Sequence, residues 1–326
     1  MKQQPFEQLH QAEWQALEQL LDQLEGNRAS PAACEDFSRR YRRLCHQLAL
    51  ATERGYSQAR IEALQQLAMR GHQQLYRHRS QVAASIAGFL AAGLPGSVRS
   101  QWRWVAAAAA VLATSLLLTL ALVLAFPDLI YAIVNPQQVQ QMEAMYDPGA
   151  ARFGPAAEHL SSSALMMFGY YVMHNVGIAF QVFASGLLLG VGSLYMLLGN
   201  GLSIGAVAGH LSQIGFGRTF WPFVIGHGAF ELTGIVLAGA AGLRLGGALI
   251  APGACSRSQA LRHSAPLALQ LVYGALLLLL VAAFVEAFWS SRSDLPNAVK
   301  YGVGALFWAL VTGYLALAGR GTHARD

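Results

Sequence analysis

The chain has 326 residues, of which 54% are hydrophobic and 12% charged, about half the charge of an ordinary soluble domain. Residues 1–101 hold more than half of all Lys, Arg, Asp and Glu, and the remainder is apolar. This predicts a soluble N-terminal domain joined to a membrane domain. The formal net charge is +5 and is carried by arginine, the only lysines being Lys2 and Lys300. A basic membrane protein reflects cytoplasmic loops near anionic lipid. No basic stripe with interleaved aromatics points to nucleic acid, so nucleic acid is not an expected partner. Cys34, Cys45 and Cys255 have no CxxC spacing and suggest no disulfide framework.

Residues 1–80 read as a cytosolic bundle of three amphipathic helices. Phe6, Leu9, Leu17, Leu20, Leu21 and Leu24 repeat at helical spacing until Gly26 and Asn27. Ser30-Pro31 suits the start of a second helix, which carries Phe37, Tyr41, Leu44, Leu48 and Ala51. Arg39, Arg40, Arg42 and Arg43 flank that face, as a solvated run or as a contact for lipid headgroups or a cytosolic partner. Gly55 breaks the helix, and Ser57 can cap a third with Ile61, Leu64, Ala68 and Leu75. Residues 81–101 read as an interfacial amphipathic helix ended by an elbow at Pro95-Gly96.

Residues 102–326 read as a polytopic helix bundle. Spans are expected over about 104–126, 170–198, 202–216, 223–253, 265–288 and 301–317, with an acidic extracytoplasmic segment at about 127–163. That segment sets Asp128, Glu143, Asp147 and Glu158 against Arg152. Gly199-Asn200-Gly201 reads as a turn. The stretch 202–216 is short, so the alternative is five spans and a re-entrant segment. With six spans, the N-terminal arginines, Arg257, Arg262, Arg320 and Arg325 share one side. This favours both termini in the cytoplasm.

The polar residues inside the spans are the candidate site. A charge in hydrocarbon costs several kcal/mol, roughly 2.5 to 3.5 on insertion scales, so it faces protein, water or a partner. His227 and Glu231 lie on one helix face at i,i+4. His174, His210 and Glu286 are expected in the same outer half of the bundle, giving an intramembrane polar network. Arg244 is expected to snorkel toward the cytoplasmic headgroups. Histidine and carboxylate are the usual zinc ligands, yet lone histidines in helices are more often hydrogen-bonded structural groups. No metal and no cofactor are therefore expected. Gly201-Leu202-Ser203-Ile204-Gly205 matches GxSxG, but on an apolar helix it reads as small-residue packing. Gly186xxxGly190 and Gly242xxxGly246 are small-xxx-small spacings, and Gly228 sits inside the HGxxE stretch; all suit close helix contact. No phosphate loop, HExxH or dinucleotide fingerprint is present.

The segments Phe37–Ala51, Leu75–Arg79, Asn200-Gly201 and above all HGAFELTGIVLAGAAGLRLGGALIAPG at His227–Gly253, with Arg257 and Glu286 after it, resemble the stage II sporulation protein M family of bacterial integral membrane proteins. The resemblance implies an inner-membrane, non-enzymatic component of an envelope assembly. The primary expectation is a scaffold that docks partner proteins. Alternatives are a transporter, channel or lipid-translocating protein using the polar groove and, behind it, an intramembrane hydrolase. Expected partners are membrane lipids, envelope or cytosolic proteins, and a second copy in a homodimer.

Overall fold

The computed structural model describes residues 2–26, 31–149 and 164–320. The expectations for Asn27, Ser30, Arg152, Glu158 and Arg325 lie outside the described residues, as do the side chains at 75–79. The described residues are helical, and they divide into two compact units, 1–88 and 89–326.

The first unit contains α1 (Gln3–Glu25), α2 (Pro31–Glu53) and α3 (Gln58–Gly88). Its core holds Phe6, Leu17, Leu20, Leu21, Phe37, Leu44, Ala51, Ile61 and Leu64 from the periodic set, together with Trp14 and Leu67, which that set did not include. Leu9 falls outside the core and is exposed. One buried polar link ties α1 to α2: the Trp14 indole donates to Gln47 Oε1 at 2.7 Å, and the Gln47 amide donates to Glu13 at 2.7 Å. On the surface, Arg70 of α3 reaches Asp22 and Glu25 of α1, and Arg60 reaches Glu7 at 2.9 Å. The helix turns back after α2 at Gly55, whose φ of 59° suits a residue without Cβ.

The segment after residue 80 is not a separate helix but continues the helical path of α3. Residues 81–88 continue α3; a π turn at Phe89–Gly93 follows, then α4 (Leu94–Ser100). Pro95 lies where the π turn passes into α4 and the helical path continues through it to Ser100, the Leu90 carbonyl of the preceding turn accepting instead from the Tyr314 hydroxyl. Leu94 is buried in the main membrane core, Ser97 donates to Gln270 at 2.5 Å, and Gln101 donates to the Leu267 carbonyl at 2.9 Å. These contacts pack α4 against α11 within the second unit.

The second unit continues with α5 (Trp102–Ala125), the short α6 (Ile130–Ile133), α7 (Pro136–Tyr146), α8 (Ala164–Ala184), α9 (Val191–Gln213), α10 (Gly217–Ile250), α11 (Arg257–Val285) and α12 (Asn297–Leu317). Five of these, α5, α9, α10, α11 with its π extension to Ser290, and α12, are long and apolar enough to cross a membrane. The 21 residues of α8 also reach about 30 Å, but His174, Asn175 and Gln181 dilute its apolarity. α10 is the central helix: its buried residues run from Thr219 to Gly246.

The turn between α8 and α9 is displaced from its expected place. It lies at 185–190, closed by Gly190 with φ 77°, and Asn200-Gly201 sits in the middle of α9. Asn200 does not terminate the helix; its amide donates to the Met196 carbonyl one turn back at 2.7 Å. Residues 202–213 are therefore the second half of a full-length helix and not a separate short span, and five helices, not the expected six, meet the length and apolarity of a crossing among the described residues.

The reason for the Gly-rich middle of α9 is α5. A Cβ on Gly201 would strike Ser115, one on Gly205 the Leu116 carbonyl, and one on Gly209 the Leu120 carbonyl and Val123. This run at spacing four lets two backbones touch. Ser203, between these glycines, is exposed on the other side of α9. The two glycine pairs noted in the sequence meet each other. Gly186 lies on Gly242, and Gly190 on Gly246, docking the α8–α9 turn on α10.

Candidate functional site: a buried His–Glu–Glu cluster between α8, α10 and α11

α10 carries Pro222 one turn before the site. Proline offers no N–H to the carbonyl four residues earlier; that carbonyl, Arg218, instead accepts from Asn297 Nδ2 at 3.0 Å. One turn further, His227 is 4% exposed. Its Nε2 lies 3.5 Å from Glu231 Oε2 on the same helix face, and its Nδ1 lies 3.1 Å from Ser290 Oγ across to α11.

Glu286 opens the π turn Glu286–Ser290 that ends α11. Such turns widen the helix locally and recur at functional sites. Glu286 and Ser290 are both buried. One ligand atom from each of His227, Glu231 and Glu286 lies within 4.8 Å of the others. The approach of the two helices depends on Gly226, where a Cβ would sit 3.1 Å from Ser290 Oγ. Gly228 does not serve this role, since a Cβ there would meet only Val224 of its own helix at 3.6 Å.

Three further groups complete the surroundings. Asn175 of α8 is 2% exposed, lies beside Glu286, and its amide nitrogen makes no hydrogen bond within 3.5 Å among the described residues. Tyr146, at the end of α7, packs edge-on to Phe223, which packs edge-on to His227 at 5.0 Å. Burial first, and then the nearby Glu286, hold the Tyr146 phenol well above its ordinary range. Lys300 of α12 is 2% exposed and donates to the carbonyls of Ser290 at 3.0 Å and of Arg292. It thereby satisfies the carbonyls that the end of α11 leaves open.

The other sequence candidates lie elsewhere. His210, at the end of α9, bonds Glu143 of α7 at 2.7 Å. With Thr219 donating to the Tyr146 carbonyl at 2.5 Å, it fastens the segment 127–146 over α9 and α10. His174 is exposed on α8 and stacks on Tyr170 at 6.0 Å. Arg244 lies 17 positions along α10 from His227, about 25 Å away. It lines a cavity of about 580 Å³ with Trp104, Gly190, Gly247 and Ser264, and its Nε has no partner among the described residues. Three of the five groups expected together therefore meet, and two do not. Ser290, Asn175, Tyr146 and Lys300 were not foreseen. Asn175 and Lys300 did carry a signal, as polar side chains inside apolar helices.

A family model described as stage II sporulation protein M matches residues 83–291. The chain belongs to the stage II sporulation protein M family. The stretch matched to stage II sporulation protein M holds His227, Glu231, Glu286 and Ser290, together with α5 and α8 to α11. Residues 4–77, within the first unit, match a separate domain of unknown function. No curated protein and no solved structure matches the chain.

Proposed function

We propose that this stage II sporulation protein M family protein is a non-enzymatic scaffold of the bacterial cytoplasmic membrane. It docks envelope or cytosolic partner proteins, with both termini in the cytoplasm and two copies per assembly. The observation that carries this reading is the division of the chain into two units. A helical bundle with its own water-type core and charged surface precedes a membrane unit. The bundle needs no membrane to bury its apolar face, so its surface is available to a partner. One recess of it, lined by Arg39, Arg42, Arg43, His46 and Glu13, carries a net positive charge even with Arg43 paired to Glu13, and suits an acidic partner surface. The membrane unit suits a rigid platform, because backbone contacts at Gly186, Gly190, Gly242 and Gly246 leave little room for sliding.

The test is affinity capture of the intact protein and of a version lacking residues 1–88, in mild detergent, with quantitative mass spectrometry and light scattering. Partners held by the intact protein and lost on deletion support the scaffold. Absence of specific partners, together with solute or lipid movement in reconstituted vesicles that requires Glu231, overturns it. One observation favours that second reading: the Glu231 side chain is 23% exposed while His227 beside it is 5% exposed, so the polar cluster opens on one side.

A further inference from the structure

The cluster at His227 poses a charge problem. Two carboxylates and one imidazole converge within 4.8 Å in an apolar bundle, His227 and Glu286 buried and Glu231 partly exposed. Among the described residues the ion-pair partner of Glu231 is His227, and Glu286 has none. The neighbouring cation, Lys300, is directed at the carbonyls of Ser290 and Arg292. Two carboxylates so close in a low dielectric are not both ionised without a counter-charge, which must be a proton or a cation.

The geometry accommodates a cation once the ligand atoms draw in from their 4.8 Å spread. Around zinc, with ligands at about 2.0–2.1 Å in tetrahedral array, neighbouring ligand atoms stand about 3.3 Å apart. His227 Nε2 and Glu231 Oε2 stand 3.5 Å apart. A metal-bound histidine gives its second nitrogen to a hydrogen bond that fixes tautomer and ring orientation. His227 Nδ1 has that bond, to Ser290 Oγ at 3.1 Å, with Nε2 left facing the carboxylates. An imidazole in the set disfavours magnesium and calcium, which take oxygen ligands in greater number. The independent observation is Asn175: 2% exposed, beside Glu286, its amide nitrogen making no hydrogen bond within 3.5 Å among the described residues. The reversed amide orientation would offer a carbonyl oxygen instead.

We propose that His227, Glu231 and Glu286 bind a divalent transition-metal cation, zinc by preference, with the Asn175 carbonyl oxygen or a water as the remaining ligand. The ion would cross-link α10 to the end of α11, and through Asn175 to α8. No redox or covalent step is involved.

The experiment uses tag-free full-length protein in nanodiscs, treated with a chelator and then offered zinc or cobalt(II). Metal content is read by elemental mass spectrometry, cobalt coordination by visible absorption, and stability by thermal unfolding. Wild type should retain zinc stoichiometrically, show the intense visible bands of low-coordinate cobalt, and melt at higher temperature with zinc. His227→Gln and Glu286→Gln should weaken metal binding by about tenfold or more. His210→Gln, at the separate pair with Glu143, should leave it unchanged. Wild type that holds no zinc and gives only the pale spectrum of aqueous cobalt overturns the proposal. So does metal content unaffected at position 227 or 286, or removed by His210→Gln. The cobalt spectrum of wild type decides the matter even where a variant fails to fold.

Discussion

Gly246 of α10 lies so close to Gly190 that a Cβ on Gly246 would collide with the Gly190 backbone. Gly190 itself holds φ 77° to close the turn between α8 and α9. One glycine is needed for its conformation, the other for the space it leaves. Gly246→Ala should destabilise the membrane unit by about 1–3 kcal/mol, the usual cost of overpacking. Gly228→Ala should be tolerated, since its Cβ would meet only Val224 at 3.6 Å. Thermal unfolding in detergent, with the monodisperse fraction by size exclusion, separates the two.

Lys300 is expected to be structural. Replacing it with Ala strands the carbonyls of Ser290 and Arg292. The cost should be about 1–3 kcal/mol for an unpaired buried acceptor. Lys300→Gln should recover part of it by offering one donor. Melting temperatures of the three proteins provide the readout.

The first unit should fold alone. A fragment of residues 1–88 is expected to be helical in water and to unfold cooperatively, because its core closes on itself. Leu44, 1% exposed at the centre of that core, should cost about 2–5 kcal/mol on replacement by Ala. Circular dichroism with denaturant titration tests both points. A fragment that is unfolded or aggregated would contradict them.

The same fragment should lose stability in acid. The Arg60 guanidinium, with Gln3, holds the Glu7 carboxyl below its ordinary 4.5, and the Gln47 amide, with His10, does the same for Glu13. A carboxyl depressed in the folded state stabilises fully above its unfolded pKa and loses that contribution as pH falls through the folded one. The melting temperature should therefore decline below about pH 4.5. Glu7→Gln should flatten the decline. The effect should be modest, because both side chains are partly exposed and screened.

The two loops flanking α11 should face opposite sides of the membrane. With its π extension this helix covers 34 residues, Arg257–Ser290, or about 50 Å at 1.5 Å per residue. In a background without native cysteines, Asp294→Cys should react with an impermeant reagent outside intact cells and Ser258→Cys should not. Equal labelling of both would refute the crossing of α11, and labelling of Ser258→Cys alone would invert the orientation.

Periodicity and composition carried most of the helical framework. The core of the first unit is drawn mainly from the leucine and aromatic set at helical spacing, and the apolar runs mark α5 and α10 to α12, whereas the expected spans 170–198 and 202–216 cut across α8 and α9. Local chemistry misplaced two boundaries. Asn200-Gly201 resembles a turn, yet the contact with α5 at Ser115 accounts for its glycine and keeps it helical. Pro95-Gly96 resembles a helix end, yet the helical path runs through it from the π turn to Ser100.

The His227–Glu231 pair follows from the helical repeat alone, since i and i+4 share a face in any α-helix. That Glu286 and Ser290 join it, while His174 turns outward and His210 pairs with Glu143, depends on tertiary packing. Those outcomes rest on helix rotation, on the π turn at Glu286–Ser290 and on the clearance at Gly226. Depth in a membrane can be estimated by counting residues along a span, but the direction a side chain faces across the bundle is fixed only when neighbouring helices interlock.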